Sequence, residues 1–385
     1  MSKWEWKKLK DICEKGSSNI KQSDLKDLTG DYPIFGASGY IQNVDFYQRD
    51  RDYIGIIKDG SGVGRTMLLP AFSSVIGTLQ YILPKEENDI KFINYALQNI
   101  DFSKSVQGAA IPHIYFKDYG ETEILVPPLS EQKRIVKFLD EEFSKIDTLK
   151  TNAETNLKNA KELFETTLEK ELNPLSRHSE RSEESSADLP SGWEWKKMRD
   201  VCDVRDGTHD SPKYHKEGYP LVTSKNLKNG LIDIDNVKYI SKEDYDAINK
   251  RSKVCIGDIL FAMIGTIGNA VLVTEEPYYA IKNVALFKKS SLINPSFLRY
   301  ILNSSFILEK MQQEAKGTTQ RFVGLDYLRS FQIPLPPLSV QKEIVARLDK
   351  LSENIKRLEA NYKQIIADCD ELKKSILKKT FEGES

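Results

Sequence analysis

The 385-residue chain is poor in the residues that build metal and redox sites, with four cysteines and four histidines. Cys13, Cys202, Cys255 and Cys369 lie far apart with no paired spacing, so neither a disulfide framework nor a zinc site is indicated. His209 and His215 stand without metal-ligand company and read as a polar loop residue and a surface residue. No apolar run approaches the roughly 18 residues that cross a bilayer. Met1-Ser2-Lys3-Trp4-Glu5 does not open a signal peptide, so a cytoplasmic location with no membrane partner is expected. Charge of one sign is missing too, since 56 Lys+Arg against 57 Asp+Glu leave a net charge of −1. Catalytic signatures are equally scarce. Gly60-Ser61-Gly62-Val63-Gly64-Arg65-Thr66 resembles a phosphate loop, yet it is one residue short of Walker A and has Arg65 in place of lysine. Both Pro-Pro pairs are followed by Leu, which excludes the Asn/Asp-Pro-Pro-Tyr/Phe of amino-methyltransferases. No catalytic triad can be assembled from spacing, and no catalytic or metal-binding residue is assigned.

What the chain does contain, it contains twice. Trp4-Glu5-Trp6-Lys7-Lys8-Leu9-Lys10-Asp11-Ile12-Cys13 recurs as Trp193-Glu194-Trp195-Lys196-Lys197-Met198-Arg199-Asp200-Val201-Cys202, with seven of the ten positions identical. Val126-Pro127-Pro128-Leu129-Ser130-Glu131-Gln132-Lys133 is matched by Leu335-Pro336-Pro337-Leu338-Ser339-Val340-Gln341-Lys342. The two pairs are offset by 189 and 209 residues, so the second copy holds 20 more residues between its markers. A repeat of this length is no solenoid unit. It is a duplicated domain-plus-helix module with shared flanks and unlike interiors. Cys13 and Cys202 occupy matching positions and read as buried structural thiols. Trp4, Trp6, Trp193 and Trp195 read as core or domain-to-helix packing. Residues 193–335 carry 21 Lys+Arg against 17 Asp+Glu, while residues 1–129 carry 15 against 17. The small basic surplus of the second interior is weak support for a nucleic-acid partner.

Each interior alternates short β-like runs with Gly and Pro, such as 53–57, 67–69 and 80–83 in the first and 257–261 and 269–273 in the second. Helices are expected over 90–104 and from Pro295 to Glu314. After each Pro-Pro-Leu-Ser the pattern changes. Ser130 and Ser339 are the expected N-caps of two long helices. Ile344, Leu348, Leu351, Ile355, Leu358, Tyr362, Ile365, Cys369, Leu372 and Ile376 step by 4-3-4-3, a sustained heptad seam. The first copy follows it through Ile135, Leu139, Ile146, Leu149, Ala153, Ala160 and Leu163, broken by Glu142, Asn156 and Thr167. A helix of roughly 40 residues is about 60 Å long, and neither helix can bury its seam alone. A parallel pair would require residues 172–192 to climb back that distance, close to their extended reach, so an antiparallel pair is expected. The expected fold class is α+β: two tandem globules separated by a long antiparallel two-helix coiled coil, pseudo-two-fold symmetric. The divisions fall at 1–129 and 193–338 for the globules, 130–172 and 339–381 for the spacer helices, and 173–192 for a flexible linker.

Further blocks extend the pattern. Arg205-Asp206-Gly207-Thr208-His209-Asp210-Ser211-Pro212 precedes Leu221-Val222-Thr223-Ser224-Lys225-Asn226, and Gly257-Asp258-Ile259-Leu260 precedes Gly265-Thr266-Ile267-Gly268. The first copy has Tyr32-Pro33-Ile34-Phe35-Gly36-Ala37-Ser38-Gly39 and Gly60-Ser61-Gly62-Val63-Gly64 instead. With the duplicated Trp-x-Trp opening and the Pro-Pro-Leu-Ser-x-Gln-Lys helix starts, the chain resembles the specificity subunit of Type I restriction–modification systems from Trp4 to about Phe381. That resemblance implies two target recognition domains, each binding one half of a bipartite, gapped sequence in double-stranded DNA, with the paired helices fixing the gap. It implies docking of two methyltransferase subunits that modify adenine, with room for restriction or translocase subunits. No cofactor is expected in this chain; S-adenosylmethionine is expected in the partner methyltransferase. The unlike interiors imply an asymmetric target.

Reading bases needs side chains with paired donors and acceptors at loop tips or groove-facing elements. The DNA-binding candidates of the first interior are Ser38, Lys58, Ser61, Arg65, Gln107 and His113. Those of the second are Thr208, His209, Ser211, Lys225, Asn226, Lys316, Thr318, Thr319, Gln320 and Arg321. Gln107-Gly108 and Lys316-Gly317-Thr318-Thr319-Gln320 sit in equivalent places before each Pro-Pro-Leu marker. The Gly60–Arg65 loop is expected to bring backbone amides and Arg65 close to phosphate. Two rival readings are a self-contained DNA-modifying enzyme, which cofactor binding by the isolated chain would reveal, and a tandem scaffold for proteins alone, which a salt-dependent, sequence-selective gel shift would exclude.

Overall fold

A computed structural model of the chain describes residues 4–108, 111–173, 189–317 and 321–382. The chain forms two compact units, residues 1–155 with 362–385 and residues 156–361.

The first unit opens with strand β1 (Glu5–Lys8), the helical turn α1 (Leu9–Ile12) and β2 (Cys13–Ser17). Then come β3 (Tyr32–Gly36), β4 (Gly39–Val44), β5 (Tyr53–Ile57), β6 (Thr66–Leu69), β7 (Ser74–Val75) and β8 (Leu79–Pro84). Helix α2 (Ile90–Gln98), the turn α3 (Phe116–Tyr119) and β9 (Glu123–Val126) lead into α4 (Leu129–Leu172). A four-stranded antiparallel sheet has the order β2-β8-β5-β6, and a three-stranded sheet the order β4-β3-β7, with β7 parallel to β3. All five residues of β5 are buried, as a β-branched run in a central strand should be. β1 pairs with β9 and closes the domain just before α4 begins.

The second unit repeats this plan. It contains β10 (Glu194–Lys197), α5 (Met198–Val201), β11 (Val204–Asp206), β12 (Tyr219–Val222), β13 (Leu227–Lys228), β14 (Leu231–Ile232), β15 (Lys238–Ile240) and α6 (Lys242–Ser252). It continues with β16 (Ile259–Ala262), β17 (Gly268–Leu272), β18 (Ala280–Ile281), β19 (Val284–Phe287), α7 (Pro295–Asn303), α8 (Ser305–Glu314), α9 (Leu325–Ser330), β20 (Gln332–Leu335) and α10 (Leu338–Glu382). Its sheets run β11-β19-β16-β17 and β15-β12-β18, with β18 parallel to β12, and β10 pairs with β20 in the register that β1 makes with β9. The β13–β14 hairpin and α6 have no counterpart among the described residues of the first unit.

Both long helices are built into these cores. In the first unit Ile135, Leu139, Phe143 and Ile146 of α4 join Cys369, Leu377 and Phe381 of α10 in one cluster with Leu9, Ile12 and Phe92. In the second, Leu168 and Leu172 of α4 join Ile344, Val345 and Leu348 of α10 and the domain's Met198 and Phe297. The start of each helix thus lies with the end of the other. Within the first unit the ion pairs Asp147–Lys373 (2.5 Å) and Lys150–Asp370 (2.7 Å) step in opposite chain directions. The pair is antiparallel.

Some expectations are corrected. Leu149, Leu163, Leu358 and Leu372, placed on the seam by their heptad steps, are exposed. An α-helix drifts about 20° per heptad from a strict seven-residue repeat, and here the buried face also has to meet the domains, so Leu168, Leu172, Leu377 and Phe381 take over. Ser130 and Ser339 are not N-caps. The helices start one residue earlier, and the first intrahelical carbonyls are those of Pro128 and Pro337, which accept from Gln132 and Gln341 at 3.0 Å. The helix expected over 90–104 ends at Gln98, because Asp101 accepts the Ser103 N–H and starts a separate 3-10 turn. The helix expected over 295–314 breaks at Ser304, whose hydroxyl donates to the Ile301 carbonyl, while Asn303 is drawn onto the Ala270 backbone of β17. Trp4 and Trp193 pack against the cores. Trp6 (64% exposed) and Trp195 (39%) do not. Pairing sets Trp6 opposite Leu125 on the outer face of its ribbon, with Ile124 and Val126 turned inward. Cys13 and Cys202 are buried free thiols whose pKa burial pushes up to about 12. The expected flexible linker falls largely on residues 174–188, outside the described residues.

Candidate nucleic-acid interface

In the first unit the six candidates fall on three neighbouring loops. Ser38 is exposed at the tip of the β3–β4 hairpin. The Arg65 guanidinium donates to the Ala37 carbonyl and so fastens this tip to the β5–β6 loop. The N–H groups of Gly60, Val63, Gly64 and Arg65 donate to the carbonyls of Pro112, Gly60, Ile57 and Gly62 at 2.9 to 3.2 Å. These bonds hold the loop tight and tie it to the neighbouring arm at Pro112, with Ser61 exposed at its tip. The third loop is an arm in which Gln107 and His113 exchange both backbone hydrogen bonds at 2.8 Å. It is tied to the second loop by Ile114 N–H donating to the Lys58 carbonyl at 3.0 Å, and by His113 Nδ1 at 2.6 Å from Asp59 Oδ1. Gln107 Nε2 donates to Asp118 at 3.0 Å, and the Lys58 ammonium lies 3.9 Å from Asp59.

The second unit builds its counterpart around Asn283, which sits at φ +54° between β18 and β19. Asn283 N–H donates to the Thr208 carbonyl at 3.1 Å, and its carbonyl accepts the Ser224 hydroxyl at 3.0 Å. Its side-chain oxygen lies 2.8 Å from His209 Nδ1. His209 Nε2 lies 2.8 Å from Asp206, which is largely buried and also pairs with Arg251. The hydrogen bonds to Asn283 and Asp206 raise the imidazole pKa above its ordinary value. Ser211 Oγ accepts from the Lys282 ammonium at 2.5 Å.

Lys225 and Asn226 form the adjoining turn. Asn226 is buried and fully used inside the domain. Its oxygen accepts the Thr223 N–H (2.9 Å) and hydroxyl (2.8 Å), and its nitrogen donates to Asp233 and Asn236 carbonyls at 3.1 and 3.3 Å. It therefore shapes the turn that presents Lys225. Beside that turn lies a cleft of about 440 Å³ lined by Tyr214, Thr223, Lys225, Asn236, Lys238 and Lys282, among others, with no carboxylate on its walls among the described residues. The Lys238 ammonium stands 4.2 Å above the centre of the Tyr214 ring.

An arm equivalent to 107–113 reaches the rim of this cleft. Lys316 and Phe322 exchange backbone hydrogen bonds at 3.0 and 2.9 Å, and the cleft residue Ile264 bridges to Phe322 as Asp59 does to His113. Gly108 and Gly317 follow the first residue of each arm at φ +89° and +97°, a conformation open to glycine and strained for other residues. Arg321 is exposed and donates to the Gln312 carbonyl at 3.2 Å. Thr318, Thr319 and Gln320 lie outside the described residues. Asn283, Lys282, Lys238, Tyr214 and Asp59 were not among the sequence candidates. Lys282 and Asn283 carried a weak signal, as the polar break between the apolar pairs Ala280-Ile281 and Val284-Ala285. Among the described residues, no cluster of three or more His, Cys, Asp or Glu could hold a metal ion, and no helix is long and apolar enough to cross a membrane.

The Type I restriction modification DNA specificity domain family matches residues 1–159 and 190–367. The MjaVIII specificity subunit of a Type I restriction enzyme from Methanocaldococcus jannaschii is 25% identical over 404 residues, covering 99% of this chain and 92% of that one. The EcoDI specificity subunit of Escherichia coli is 20% identical over 414 residues, covering 99% and 88%. Two solved structures share the fold. One is a chain from work on complex assembly and conformational transition of the type I R-M system, with a TM-score of 0.72 at 19% identity over 98% of this chain and 97% of that one. The other is the HsdS subunit from Thermoanaerobacter tengcongensis, with a TM-score of 0.58 at 18% identity over 99% and 97%.

Proposed function

Since the chain belongs to the family of Type I restriction modification DNA specificity domains, we propose that it selects the sequence on which a restriction–modification complex acts and performs no catalysis itself. The observation that carries this is the lysine-lined cleft of the second unit, without a carboxylate on its walls among the described residues, bordered by Lys225, His209 and the arm that starts at Lys316. Ammonium groups gathered without competing anions attract phosphate and displace its counterions. Side chains with paired donors and acceptors on the bordering loops then discriminate bases.

In this reading each unit's loops contact one half of a bipartite, gapped DNA sequence. The first half falls to Ser38, Lys58, Ser61, Arg65, Gln107 and His113. The second falls to Thr208, His209, Ser211, Lys225, Lys316, Thr318, Thr319, Gln320 and Arg321, with Asn226 shaping the turn. The unlike interiors make the half-sites unrelated. The paired helices set the gap and dock two methyltransferase subunits, leaving room for restriction or translocase subunits. S-adenosylmethionine enters with the methyltransferase.

The test is a genome-wide adenine methylation map of cells with and without this gene, alongside its methyltransferase partner. Loss of one gapped two-part motif is expected on deletion. A map that does not change, in cells where pull-down shows the methyltransferase bound to the chain, would overturn the reading.

A further inference from the structure

The Pro-Pro-Leu-Ser-x-Gln-Lys motif contains a glutamine that DNA reading does not use. Gln132 is 1% exposed. Its side-chain carbonyl accepts the backbone N–H of Asp89 at 2.8 Å, and its amide donates to the Pro127 carbonyl at 2.9 Å. Asp89 is the N-cap of α2, its carboxylate accepting the N–H groups of Lys91 and Phe92. One side chain of α4 thus grips the residue that starts α2 and the proline turn that starts α4. Further along, Asp140 accepts the Tyr95 hydroxyl at 2.6 Å and the Lys91 ammonium at 2.7 Å. Burial raises the Asp140 pKa, but these hydrogen bonds outweigh it and leave the carboxyl below its ordinary value.

The second unit makes the same contacts. Gln341 accepts the N–H of Asn294, the N-cap of α7, at 2.8 Å and donates to Pro336 at 2.8 Å. Tyr300 donates to Asp349 at 2.6 Å. The N-cap is Asn294 where the first unit has Asp89, and the cation differs, with Arg299 standing 3.7 Å from Asp349 and 4.6 Å over the Tyr300 ring. Glutamine, tyrosine and aspartate are retained at these positions in two domains whose loops have otherwise diverged.

Spacing gives these contacts a mechanical meaning. Gln132 and Asp140 are separated by about 12 Å along α4, and Asp89 and Tyr95 by about 9 Å along α2, at 1.5 Å per residue. The shared apolar core holds the domain against the helix, but apolar contact is not directional and sets the angle only loosely. Two directional hydrogen-bonded contacts, well separated on both helices, fix the angle that packing leaves adjustable. For a domain about 35 Å across, rocking by about 6° would move the far loops by roughly the 3.4 Å rise of one base pair.

We propose that Gln132 with Tyr95–Asp140, and Gln341 with Tyr300–Asp349, are positioning residues, a two-point brace that fixes the angle at which each domain is carried on its long helix. Its consequence for gap selection rests on the DNA-reading assignment above; its geometry does not.

The test uses the full chain with the exposed Cys255 replaced by serine, leaving the buried Cys13, Cys202 and Cys369 in place. Spin labels at Glu14→Cys on β2 and Lys145→Cys on α4 report one intradomain distance by double electron–electron resonance. A single narrow distance is expected for the braced protein, a broader one for Tyr95→Phe, and a broad distribution for Tyr95→Phe with Gln132→Leu. Tyr95→Phe keeps the ring packing and remains informative if the double variant does not fold. A folded variant that keeps the narrow distance would overturn the brace. Methylation by the assembled complex on targets with gaps one base pair shorter or longer gives the second readout. The braced protein should prefer one gap, and the variant should lose that preference on the order of tenfold with its half-site bases unchanged. Unchanged gap preference in a variant with a broadened distance would overturn the brace's role in gap selection. A parent complex with no sequence preference at all would sink the DNA reading and leave the distance result standing.

Discussion

His113 and Asp59 are joined twice, by a 2.6 Å contact between Nδ1 and Oδ1 and by a backbone bridge that ties the arm to the β5–β6 loop. The equivalent positions in the second unit, Phe322 and Ile264, keep the bridge and replace the polar clasp with an apolar one. Asp59→Ala should therefore loosen the first arm only. Binding to targets altered in one half at a time should weaken by about 1 kcal/mol at the first half-site, with His113→Ala non-additive in a double-mutant cycle. Equal loss at both halves would instead report a folding defect.

The 207–212 loop should be sensitive to pH. His209 has a folded pKa raised above the ordinary 6.5, first by its hydrogen bond to Asn283 and then by that to Asp206, while Arg251 opposes them. A raised imidazole pKa contributes stability that is complete below pH 6.5 and is lost as pH rises through the raised value. Amide exchange at Thr208 to Asp210, corrected for its intrinsic pH dependence, should accelerate across that window. His209→Gln should flatten the response.

Asp258 anchors the second core. Its side chain is 1% exposed and accepts the N–H groups of Cys255 and Lys289 at 2.8 Å and the Lys288 ammonium at 2.5 Å. Asp258→Ala leaves two N–H groups without their acceptor and a largely buried ammonium, still bonded to the Lys253 carbonyl, without its counter-charge, which should cost about 3–5 kcal/mol in denaturant unfolding. A loss below about 1 kcal/mol would mean that water reaches the site and replaces the carboxylate.

The cleft lysines should act on phosphate rather than on sequence. Lys225→Ala and Lys238→Ala should each reduce the slope of log affinity against log salt by about 1 and weaken specific and non-specific DNA alike. Changed discrimination among bases, with the slope unaltered, would place these side chains on base edges.

Adding or removing one heptad in both long helices should change the recognised gap and leave both half-sites as they were. Unchanged spacing after such edits would exclude the helices as the ruler.

The duplicated frame was legible in the sequence because backbone pairing depends on a few neighbouring residues. The Trp-x-Trp strand and the segment before Pro-Pro pair in the same register in both units. The site was only partly legible. Asn226 and Arg65 have the chemistry of DNA contacts, yet the former is consumed by its own turn and the latter engages the Ala37 carbonyl. The role of Asn283, a mere polar break in the sequence, depends on β18 running parallel to β12, which brings it beside Thr208 and Ser224. Local pattern shows which residues can donate and accept; what they are left to donate to depends on contacts distant in sequence. The exposed seam leucines make the same point, since a heptad count cannot know that each helix also has to seat a domain.

The β1–β9 and β10–β20 ribbons have a consequence for how such a chain can change. Each holds the entrance and exit of an interior together, Lys8 against Glu123 and Lys197 against Gln332, so whatever lies between enters and leaves by one doorway. The entropy of closing a loop grows only with the logarithm of its length, so the 20 additional residues of the second interior add about 0.1 kcal/mol to that closure. A doorway so indifferent to the length behind it lets one interior be exchanged for another while the frame around it stays as it is.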